Sequence, residues 1–462
     1  MNANPRVAAL SLILAGVLFG LLPILFQPKQ ITFAHAAPDP VATLAGGSNC
    51  GALPAPDGNI IHVDPSQASN LDDIVQSAAS GDTILLTDGT YNLQGDYLWF
   101  DVPGVTLRSA SGNRNAVILD GNYQTTEIIY IVASNVTIAD LTIKRAKYHP
   151  LHVTASSNSD TENTLIYNVH VIDAGQQAVK INQNVAKTNF PDNGTVACSH
   201  LELTDAGRPQ VWAINGSCYT GGIDGHQAWG WIIRDNLIEG FWCDQGLSEH
   251  AIHFWTGSRD TLVERNVLID NARGVGFGLG QSGNWRTYED DPCSGVANVG
   301  HYDGIIRNNF VFQDRAELQT SQFGFDCGIC LEQACGAKAL HNTVVSTALP
   351  FSSIEWRFSN TSTEIINNLV SHNLRARDGA AALLTGNLSG VPLSMFVDGA
   401  GGDLHLLASA GSAIDQGYPG ATGMSSDDID GALRDAAPDI GADEYPANFS
   451  YGTYLPLVLK PL

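Results

Sequence analysis

The chain has 462 residues, and 44% of them are apolar, so it can bury a large hydrophobic core. Its 47 glycines favour many tight turns over long helices. The formal net charge of −24 argues against nucleic acid and anionic membranes as partners, because binding to phosphate requires a basic surface. An anionic polysaccharide would need a local basic patch or bound Ca²⁺ to offset this charge, and the sequence identifies no other cofactor.

The N-terminus carries a long apolar segment. Arg6 is followed by the apolar run 7–26, which is long enough to span a bilayer, and by "AHA" (34–36), whose small residues suit signal peptidase. We therefore expect residues 1–36 to be a cleaved secretory signal rather than a retained anchor. No second apolar run of that length follows in the sequence, so we expect a secreted or cell-surface protein without a membrane span after cleavage.

Eight cysteines lie beyond this segment, an even number that suits disulfides in an exported protein. The sequence does not settle their pairing, and Cys327 with Cys335 and Cys243 with Cys293 are two candidate pairs. "CGIC" (327–330) has the spacing of a redox motif, but no thioredoxin-like pattern surrounds it. We expect the cysteines to be structural.

Short strands with alternating apolar residues recur along the chain. They are predicted at IYIV (129–132), LHVT (151–154), VKIN (179–182), IDGH (223–226), IHFW (252–255), VGFG (275–278), ICLE (329–332), IEWR (354–357) and ALLT (382–385). Turn signals lie between them, and no helical period intervenes. The pattern predicts an all-β parallel β-helix, a solenoid of about ten coils in which stacking buries the apolar faces.

An asparagine recurs after these strands. It is found at Asn168, Asn236, Asn266, Asn309, Asn342 and Asn368, with Asp140 and His200 in the same place upstream. At a coil corner, a side-chain amide can bond to the amide of the next coil, and asparagine tolerates the left-handed backbone conformation. We therefore expect a structural asparagine ladder inside the stack.

Two pairs of segments resemble known families. "SAASGDTILLTDGTYNL" (77–93) with "VTLRSASGNRNAVILDGN" (105–122) resembles the entry coils of right-handed β-helix proteins of the pectin-lyase-like superfamily. "GDLHLLASAGSAIDQG" (402–417) with "DIDGALRDAAPDIGADEY" (428–445) resembles the C-terminal signature of bacterial surface proteins called choice-of-anchor Q. The resemblance implies a right-handed helix and export. The superfamily includes polysaccharide lyases, glycoside hydrolases, epimerases and members without known activity.

These features divide the chain into five predicted parts. They are a signal peptide (1–36), a linker (37–57), a β-helix (58–395), an anchor-Q-like cap (396–446) and a tail (447–462). We expect a monomer, because caps at both ends of a β-helix cover the strand edges that could otherwise pair with another molecule.

The phase of the strands predicts a groove. Because side chains alternate, Ile252 and Phe254 are expected to point inward, and His253 and Trp255 to point outward. The same phase collects polar groups on one outer face, with neighbouring coils about 4.8 Å apart. Gly276 and Gly278 predict a bare patch there, where a sugar ring could approach the backbone. We interpret this face as the floor of a polysaccharide-binding groove.

The first functional hypothesis is a polysaccharide lyase that acts on a uronate-containing glycan. Elimination needs a base beside the uronate carboxylate and a cation for the developing enolate. His253 or Lys180 could be the base, and Arg357 could neutralise the carboxylate. The substrate would contact the remaining groove residues, which are Asp224, His226, Trp255, Gly276, Gly278, His152 and Asn182.

Four alternative readings stay open. Glu332 and Glu355 lie diagonally on neighbouring coils, at a separation of about 8 Å that suits an inverting glycoside hydrolase. A plain ion pair between Glu332 and Arg357 is the structural explanation of the same residues. Asp224, His226 and His253 could instead ligate a metal ion. A noncatalytic surface protein that binds glycan or displays a rigid rod is the third functional reading.

Overall fold

Three long sheets of parallel strands run along the described chain. The computed structural model describes residues 50–279 and 285–445, so the predicted signal peptide and C-terminal tail lie outside the described residues. Successive strands pass from sheet to sheet and return one coil further along. The molecule is an all-β, right-handed parallel β-helix, and its ten-stranded sheet gives about ten coils, as the sequence predicts.

The ten-stranded sheet is called the site sheet below. Its strands are Leu98–Phe100, Glu127–Ile131, His149–Thr154, Gln177–Asn182, Gly221–His226, Ile252–Trp255, Arg273–Gly278, Cys327–Glu332, Ser352–Arg357 and Leu374–Arg377. The second sheet contains Ile60–Val63, Thr83–Leu86, Thr106–Ser109, Thr137–Ala139, Leu165–Tyr167, Thr195–Ala197, Ile232–Arg234, Ser258–Arg259, Leu262–Glu264, His301–Tyr302, Ile305–Arg307, Ala334–Leu340, Ser362–Ile366 and Ala381–Thr385.

The third sheet has eleven strands. They are Gly89–Asn92, Val117–Asp120, Thr142–Lys144, His170–Ile172, His200–Glu202, Leu237–Glu239, Val267–Ile269, Phe310–Gln313, Thr343–Ser346, Leu369–Val370 and Leu388–Ser389. Two small pairs accompany the large sheets: parallel Thr161–Glu162 with Pro191–Asp192, and antiparallel Phe396–Asp398 with Asp403–Leu406.

Alternation along each strand builds the core. Ile252 and Phe254 are fully buried in one continuous apolar cluster that runs through the coils. Phe254 pairs in register with Phe277, so like residues stack on successive coils. The inward phase predicted from the sequence is confirmed for these strands, and burying such faces against their neighbours is what stabilises a solenoid.

Short helices cover the first coil. A 3-10 helix, Pro65–Asn70, begins at Asp64, whose carboxylate accepts a backbone hydrogen bond from its first turn. The α-helix Leu71–Ser77 follows, and its Leu71 and Val75 are buried in the core. The two helices therefore close the core at this end of the stack.

Three of the remaining helices lie in connections between strands, and the fourth, Pro419–Ala421, follows the last strand. The α-helices are Arg208–Asn215 and Ala316–Thr320, and the 3-10 helices are Leu393–Met395 and Pro419–Ala421. Within the part of the chain that the structure describes, no helix combines the length and the apolar content needed to cross a bilayer.

The predicted asparagine ladder is present. The Nδ2 of Asn236 donates to Oδ1 of Asn266 at 2.9 Å. Bonds of the same length continue the ladder through Asn309, Asn342, Asn368 and Asn387. All members before Asn387 are fully buried. Because each amide satisfies its neighbour, the ladder supports the fold without leaving a polar group unpaired.

Three predicted members lie beside the ladder instead of in it. Ser199, the residue before His200, donates its backbone N–H to Oδ1 of Asn236 at 2.9 Å, so His200 is one residue too late. Asn168 donates to Asp140 at 2.8 Å in a separate pair. The φ angles of Asp140 and Asn168 are 59° and 49°, so the left-handed conformation falls one residue before the ladder.

Residues 391–445 pack along the outer face of the third sheet. Phe396 and Leu404 join Val267 and Phe310 in one apolar cluster. This cluster gives the predicted C-terminal cap its own contact with the side wall of the β-helix.

Four disulfides join the eight cysteines. The pairs are Cys50–Cys198, Cys218–Cys243, Cys293–Cys335 and Cys327–Cys330. Both candidate pairs from the sequence are wrong. Cys327 lies on the site sheet whereas Cys335 lies on the second sheet, so the two side chains belong to different walls.

The last predicted strand of the groove is also misplaced. ALLT (382–385) forms part of Ala381–Thr385 in the second sheet. Its expected place is taken by Leu374–Arg377, which pairs with Ser352–Arg357. The outer face of this sheet therefore ends in Arg375 and Arg377, which were not predicted to lie there.

Candidate active site

The outer face of the site sheet brings the predicted residues together. Lys180 pairs in register with Asp224, and Asp224 pairs with His253. Beside them, His226 pairs with Trp255. These five residues therefore lie on three successive coils, as the predicted phase requires.

Eight strands of the site sheet, from Glu127–Ile131 to Ser352–Arg357, bend so that two outward residues at each lie three positions apart. Between His250 and His253, the residues Ala251 and Ile252 both point into the core, and the two imidazole centroids are 4.2 Å apart. The bend accounts for the CGIC spacing without a redox motif. It also creates a third outward column, whose members are Glu127, His149, Gln177, Gly221, His250, Arg273, Cys327 and Ser352.

Lys180, Asp224 and His226 form what we call the central cluster. Lys180 Nζ donates to Asp224 Oδ2 and, at 2.9 Å, to His226 Nε2. His226 Nε2 is also 3.1 Å from Asp224 Oδ2. The indole Nε1 of Trp255 donates to Asp224 Oδ1 at 2.8 Å. Both oxygens of the buried Asp224 are thus engaged within the protein.

The charges in this cluster are fixed by its contacts. Burial acts against the charge on Lys180, but Asp224 outweighs it and raises the pKa of Lys180 above its ordinary value. Burial likewise opposes ionisation of Asp224, but the neighbouring cations hold the pKa of Asp224 well below its usual range. Burial lowers the pKa of His226. At neutral pH the cluster is an ammonium, a carboxylate and a neutral imidazole, which argues against Lys180 as a base.

His253 does not face solvent. It is only 1% exposed, because Trp255 stacks on its ring at 5.0 Å and His250 lies against it at 4.2 Å. Its Nε2 donates to the carbonyl of Gly278 at 2.7 Å. The predicted exposure of His253 is therefore wrong, and in this arrangement its ring supports Trp255 instead of reaching a substrate.

The predicted bare patch is filled. A Cβ at Gly276 would lie 2.6 Å from the ring of His250, so this glycine makes room for the imidazole. Gly278 has a φ of +83°, a left-handed conformation that glycine adopts without strain. The two glycines therefore accommodate a buried histidine and a turn, and they do not form an open sugar site.

At the far end of the site sheet the carboxylates are paired. Glu332 lies 3.6 Å from Nη1 of Arg357, which confirms the predicted ion pair. Glu355 accepts hydrogen bonds from Arg377 and from Ser352, both at 2.9 Å. Both glutamates are buried, and burial raises the pKa of Glu332 above its ordinary value.

At the near end, His152 and Asn182 lie in contact. Nε2 of His152 is 2.5 Å from Oδ1 of Asn182. Glu127 lies on the other side of the ring, with its Oε2 3.5 Å from His152 Nδ1 and 3.0 Å from His149 Nδ1. Two histidines and a carboxylate thus meet at one point of the groove.

A cavity of about 540 Å³ opens beside this point, lined in part by Trp99, Tyr130, Asn182 and Lys187. The rings of Trp99 and Tyr130 are stacked at 4.9 Å, and Tyr130 meets His152 edge-on at 4.7 Å. An aromatic surface therefore continues from the groove into the cavity. Trp99 was missed because its strand, Leu98–Phe100, was not predicted.

That the residues of the third outward column share one face was not predicted from the sequence. A signal for this column was present in the chain: H-x-x-H occurs at His149 and His152 and again at His250 and His253. Strict two-residue alternation hides this relation, because it assigns residues three apart to opposite faces. The suggested metal site is not assembled either, since Asp224 and His226 share Lys180, whereas His253 groups with Glu249 and His250.

Comparisons by sequence find no relatives. No protein-family model matches the chain, and no curated protein matches it. The resemblance of residues 402–417 and 428–445 to choice-of-anchor Q proteins therefore stays a prediction.

Solved structures share the fold. A pectate lyase, Pel9A, aligns over 87% of this chain and 99% of its own, with a TM-score of 0.54 and 16% identity. An alginate lyase from Paenibacillus sp. str. FPU-7 covers 71% of this chain and 98% of its own, with a TM-score of 0.48 and 16% identity. The A-module of the Azotobacter vinelandii mannuronan C-5 epimerase AlgE4 covers 74% and 94%, with a TM-score of 0.43 and 15% identity. The alignment with Pel9A supports the parallel β-helix fold.

Proposed function

We propose that the protein is an exported, carbohydrate-active β-helix protein, and specifically a polysaccharide lyase that acts on a uronate-containing glycan. The central cluster carries this proposal, because it holds a neutral imidazole, an ammonium and a carboxylate beside the half-buried indole of Trp255. Elimination requires a base and a cation that stabilises the charge of the transition state. His226 and Lys180 supply these two groups.

The base is His226 in this proposal. In the resting cluster Lys180 donates to His226 Nε2, so the lone pair of the imidazole is occupied. A uronate carboxylate that binds beside Lys180 competes for the ammonium protons and releases Nε2. The same anion that defines the substrate thus activates the base.

Elimination then follows from the released imidazole. His226 takes the proton from the carbon next to the carboxylate, and Lys180 stabilises the enolate that forms. The electron pair of the broken C–H bond becomes a carbon–carbon double bond as the glycosidic C–O bond breaks. The imidazolium returns its proton to the departing oxygen. Asp224 Oδ2, 3.1 Å from Nε2, stabilises the imidazolium between these steps.

Two aromatic surfaces support glycan binding. The indole of Trp255 is fixed by its hydrogen bond to Asp224, so it offers a rigid apolar face to a sugar ring at low entropic cost. Trp99 and Tyr130 offer a second surface in the cavity. Together they would bind several sugar units along the site sheet.

Cations lie along this face although the chain has a net charge of −24. Lys180 lies in the centre, and Arg357, Arg375 and Arg377 lie at the far end of the site sheet. All but Arg375 are paired with protein carboxylates, so a uronate would have to compete for them. The side chain of Arg357 is 30% exposed, so it can approach a second uronate carboxylate.

An inverting glycoside hydrolase is the second candidate. The raised pKa of Glu332 favours a protonated acid, and Glu355 is held by Arg377 one coil away. A protonated acid beside a carboxylate is the pair that such hydrolases use. Against this reading, Glu332 and Glu355 are only 5% and 3% exposed, whereas the side chain of His226, the proposed base, is 21% exposed.

The proposed location is extracellular. Four disulfides favour an oxidising compartment. A polymeric glycan, which cannot cross a membrane unaided, would also be met outside the cell.

The test is a panel of purified uronate-containing and neutral glycans incubated with the full-length protein. Ultraviolet absorbance follows the unsaturated uronate that elimination creates, and a reducing-end assay runs in parallel. We expect new absorbance with at least one uronate glycan. New reducing ends without new absorbance would contradict the lyase proposal and support a glycoside hydrolase. Glycan binding without either signal, abolished by Trp255→Ala, would leave a binding protein.

A further inference from the structure

We infer that Glu127, His149 and His152 form a binding site for one divalent transition-metal ion, such as Zn²⁺, at the near end of the groove. These residues lie on two neighbouring strands of the site sheet, in which Glu127 pairs with His149. The site does not depend on the proposed reaction, because its occupancy can be measured without any glycan.

The hydrogen bonds around the histidines determine which nitrogens carry protons. His152 Nε2 lies 2.5 Å from Oδ1 of Asn182, and the amide nitrogen of Asn182 donates to the carbonyl of Gln183. Because that bond fixes the amide, its oxygen faces His152 and can only accept a proton. His149 Nε2 lies 3.1 Å from Oε1 of Gln177. The Nε2 of His152 therefore carries hydrogen.

A lone pair of His152 consequently faces a carboxylate. With hydrogen on Nε2, a neutral imidazole has its lone pair on Nδ1. His152 Nδ1 lies 3.5 Å from Oε2 of Glu127, and His149 Nδ1 lies 3.0 Å from the same oxygen. Nδ1 of His152 is shut off from solvent and makes no hydrogen bond with any residue that the structure describes. A lone pair and a carboxylate oxygen repel each other unless a proton or a metal cation lies between them, and a metal ion would engage all three atoms.

The geometry suits a transition metal. The three ligand atoms lie within 4.8 Å of one another. Tetrahedral zinc with bonds of about 2.0–2.2 Å requires ligand atoms roughly 3.4 Å apart, so small side-chain shifts suffice. Two imidazoles with one carboxylate favour Zn²⁺ or a similar first-row ion over Ca²⁺, which prefers oxygen ligands. Asn182 and Gln177 act as the outer hydrogen-bond partners that orient metal-binding histidines.

The bound ion would have three protein ligands. Further coordination positions would then be open to water or to sugar oxygens from the adjacent cavity.

The experiment measures metal binding by the full-length protein after treatment with a chelator and dialysis against Zn²⁺ or Co²⁺. We expect one equivalent by elemental analysis, and X-ray absorption of the bound ion should show only nitrogen and oxygen ligands, with two imidazoles. Glu127→Gln and His152→Ala should each weaken binding at least about tenfold. Asn182→Leu removes no ligand and should weaken it by about 10- to 100-fold through the lost orientation.

His170→Ala is the matched control, because His170 lies 3.2 Å from Glu202 in another histidine–glutamate cluster on the third sheet. We expect this variant to bind metal like the wild type. Absence of binding by the wild type overturns the inference and leaves a hydrogen-bonded histidine–glutamate cluster only. Loss of binding in His170→Ala, or sulfur ligation from Cys327 and Cys330, overturns it as well. If His152→Ala does not fold, Glu127→Gln and the ligand spectrum decide.

Discussion

The asparagine ladder inside the coils and the central cluster outside them are both columns of polar side chains at the spacing of neighbouring strands. In the ladder, Asn236 and Asn266 are linked by the same 2.9 Å amide bond that links every later pair. The central cluster contains three different residues, Lys180, Asp224 and His226. Their contacts determine which of them is charged. In the ladder, identical side chains satisfy one another's hydrogen bonds and so stabilise the fold. A departure from the repeat creates the unequal charges that proton transfer requires.

The strongest test of this contrast is His226→Ala. Removing the proposed base should lower kcat by about 100- to 10,000-fold. The free energy of unfolding should fall by only about 1 kcal/mol, because one partly exposed hydrogen bond to Lys180 is lost. Initial rates and denaturant unfolding of the same preparation measure both effects. If His226→Ala turned over at the wild-type rate, His226 would not be the base, and another residue of the site sheet would have to take this role.

Asn266→Ala should show the opposite behaviour. It removes the acceptor of Asn236 and the donor to Asn309, which leaves buried polar groups unpaired. We expect the free energy of unfolding to fall by about 3 kcal/mol, with kcat unchanged at 25 °C. Asn168→Ala, outside the ladder, is the control and should cost about 1 kcal/mol. A large loss of kcat in Asn266→Ala without a loss of stability would contradict the assignment of the ladder to the fold and of the central cluster to the reaction.

The sequence predicted the fold well, because a solenoid repeats the same requirement in every coil. Small errors of phase average out over many coils, so the strand from Ile252 and the asparagine at Asn266 could be aligned through their recurrence. Asp140, Asn168 and His200, by contrast, were assigned beside the ladder, since Ser199 and Val169, which take ladder positions upstream of Asn236, are not asparagines.

The site was predicted less completely, because its residues depart from the repeat. The outward phase of Lys180, Asp224 and His226 followed from alternation. The burial of His253 did not, because it depends on His250, which reaches the same face only through the bend. A pattern of polar positions predicts which residues share a face, but not which of them cover one another.

His301 offers a third test, because this histidine, like the ladder asparagines, is a buried neutral group that contributes to stability. It is fully buried, it stacks on Phe277 at 3.9 Å, and burial lowers its pKa to about 3. In the unfolded chain a histidine titrates near 6.5, so between these values the unfolded state binds one more proton than the folded state. The stability that neutral His301 contributes is complete above pH 6.5 and is lost as the pH falls.

The expected slope from this group is up to about 1.4 kcal/mol per pH unit below pH 6. Denaturant midpoints of wild type and His301→Gln between pH 7 and pH 4 measure it, because glutamine does not titrate. The variant should lose stability less steeply than the wild type. Equal slopes would mean that acid destabilises the protein through other groups.

The smallest effect is expected for Arg357→Ala, at the edge of the outer face. Its ion pair with Asp378 is partly exposed. Its contact with the buried Glu332 is long, at 3.6 Å, and the raised pKa of Glu332 favours the neutral acid. Removing both should therefore cost less than about 1 kcal/mol of stability. If Arg357 contacts a second uronate, KM should rise about threefold to tenfold while kcat stays the same, because binding before and during the reaction is lost equally. Arg377→Ala is the comparison. It leaves the buried Glu355 without its cation and should destabilise the fold more than Arg357→Ala does. A kcat effect of Arg357→Ala as large as that of His226→Ala would place the reaction at the far end of the sheet and favour the glutamate pair as its catalyst.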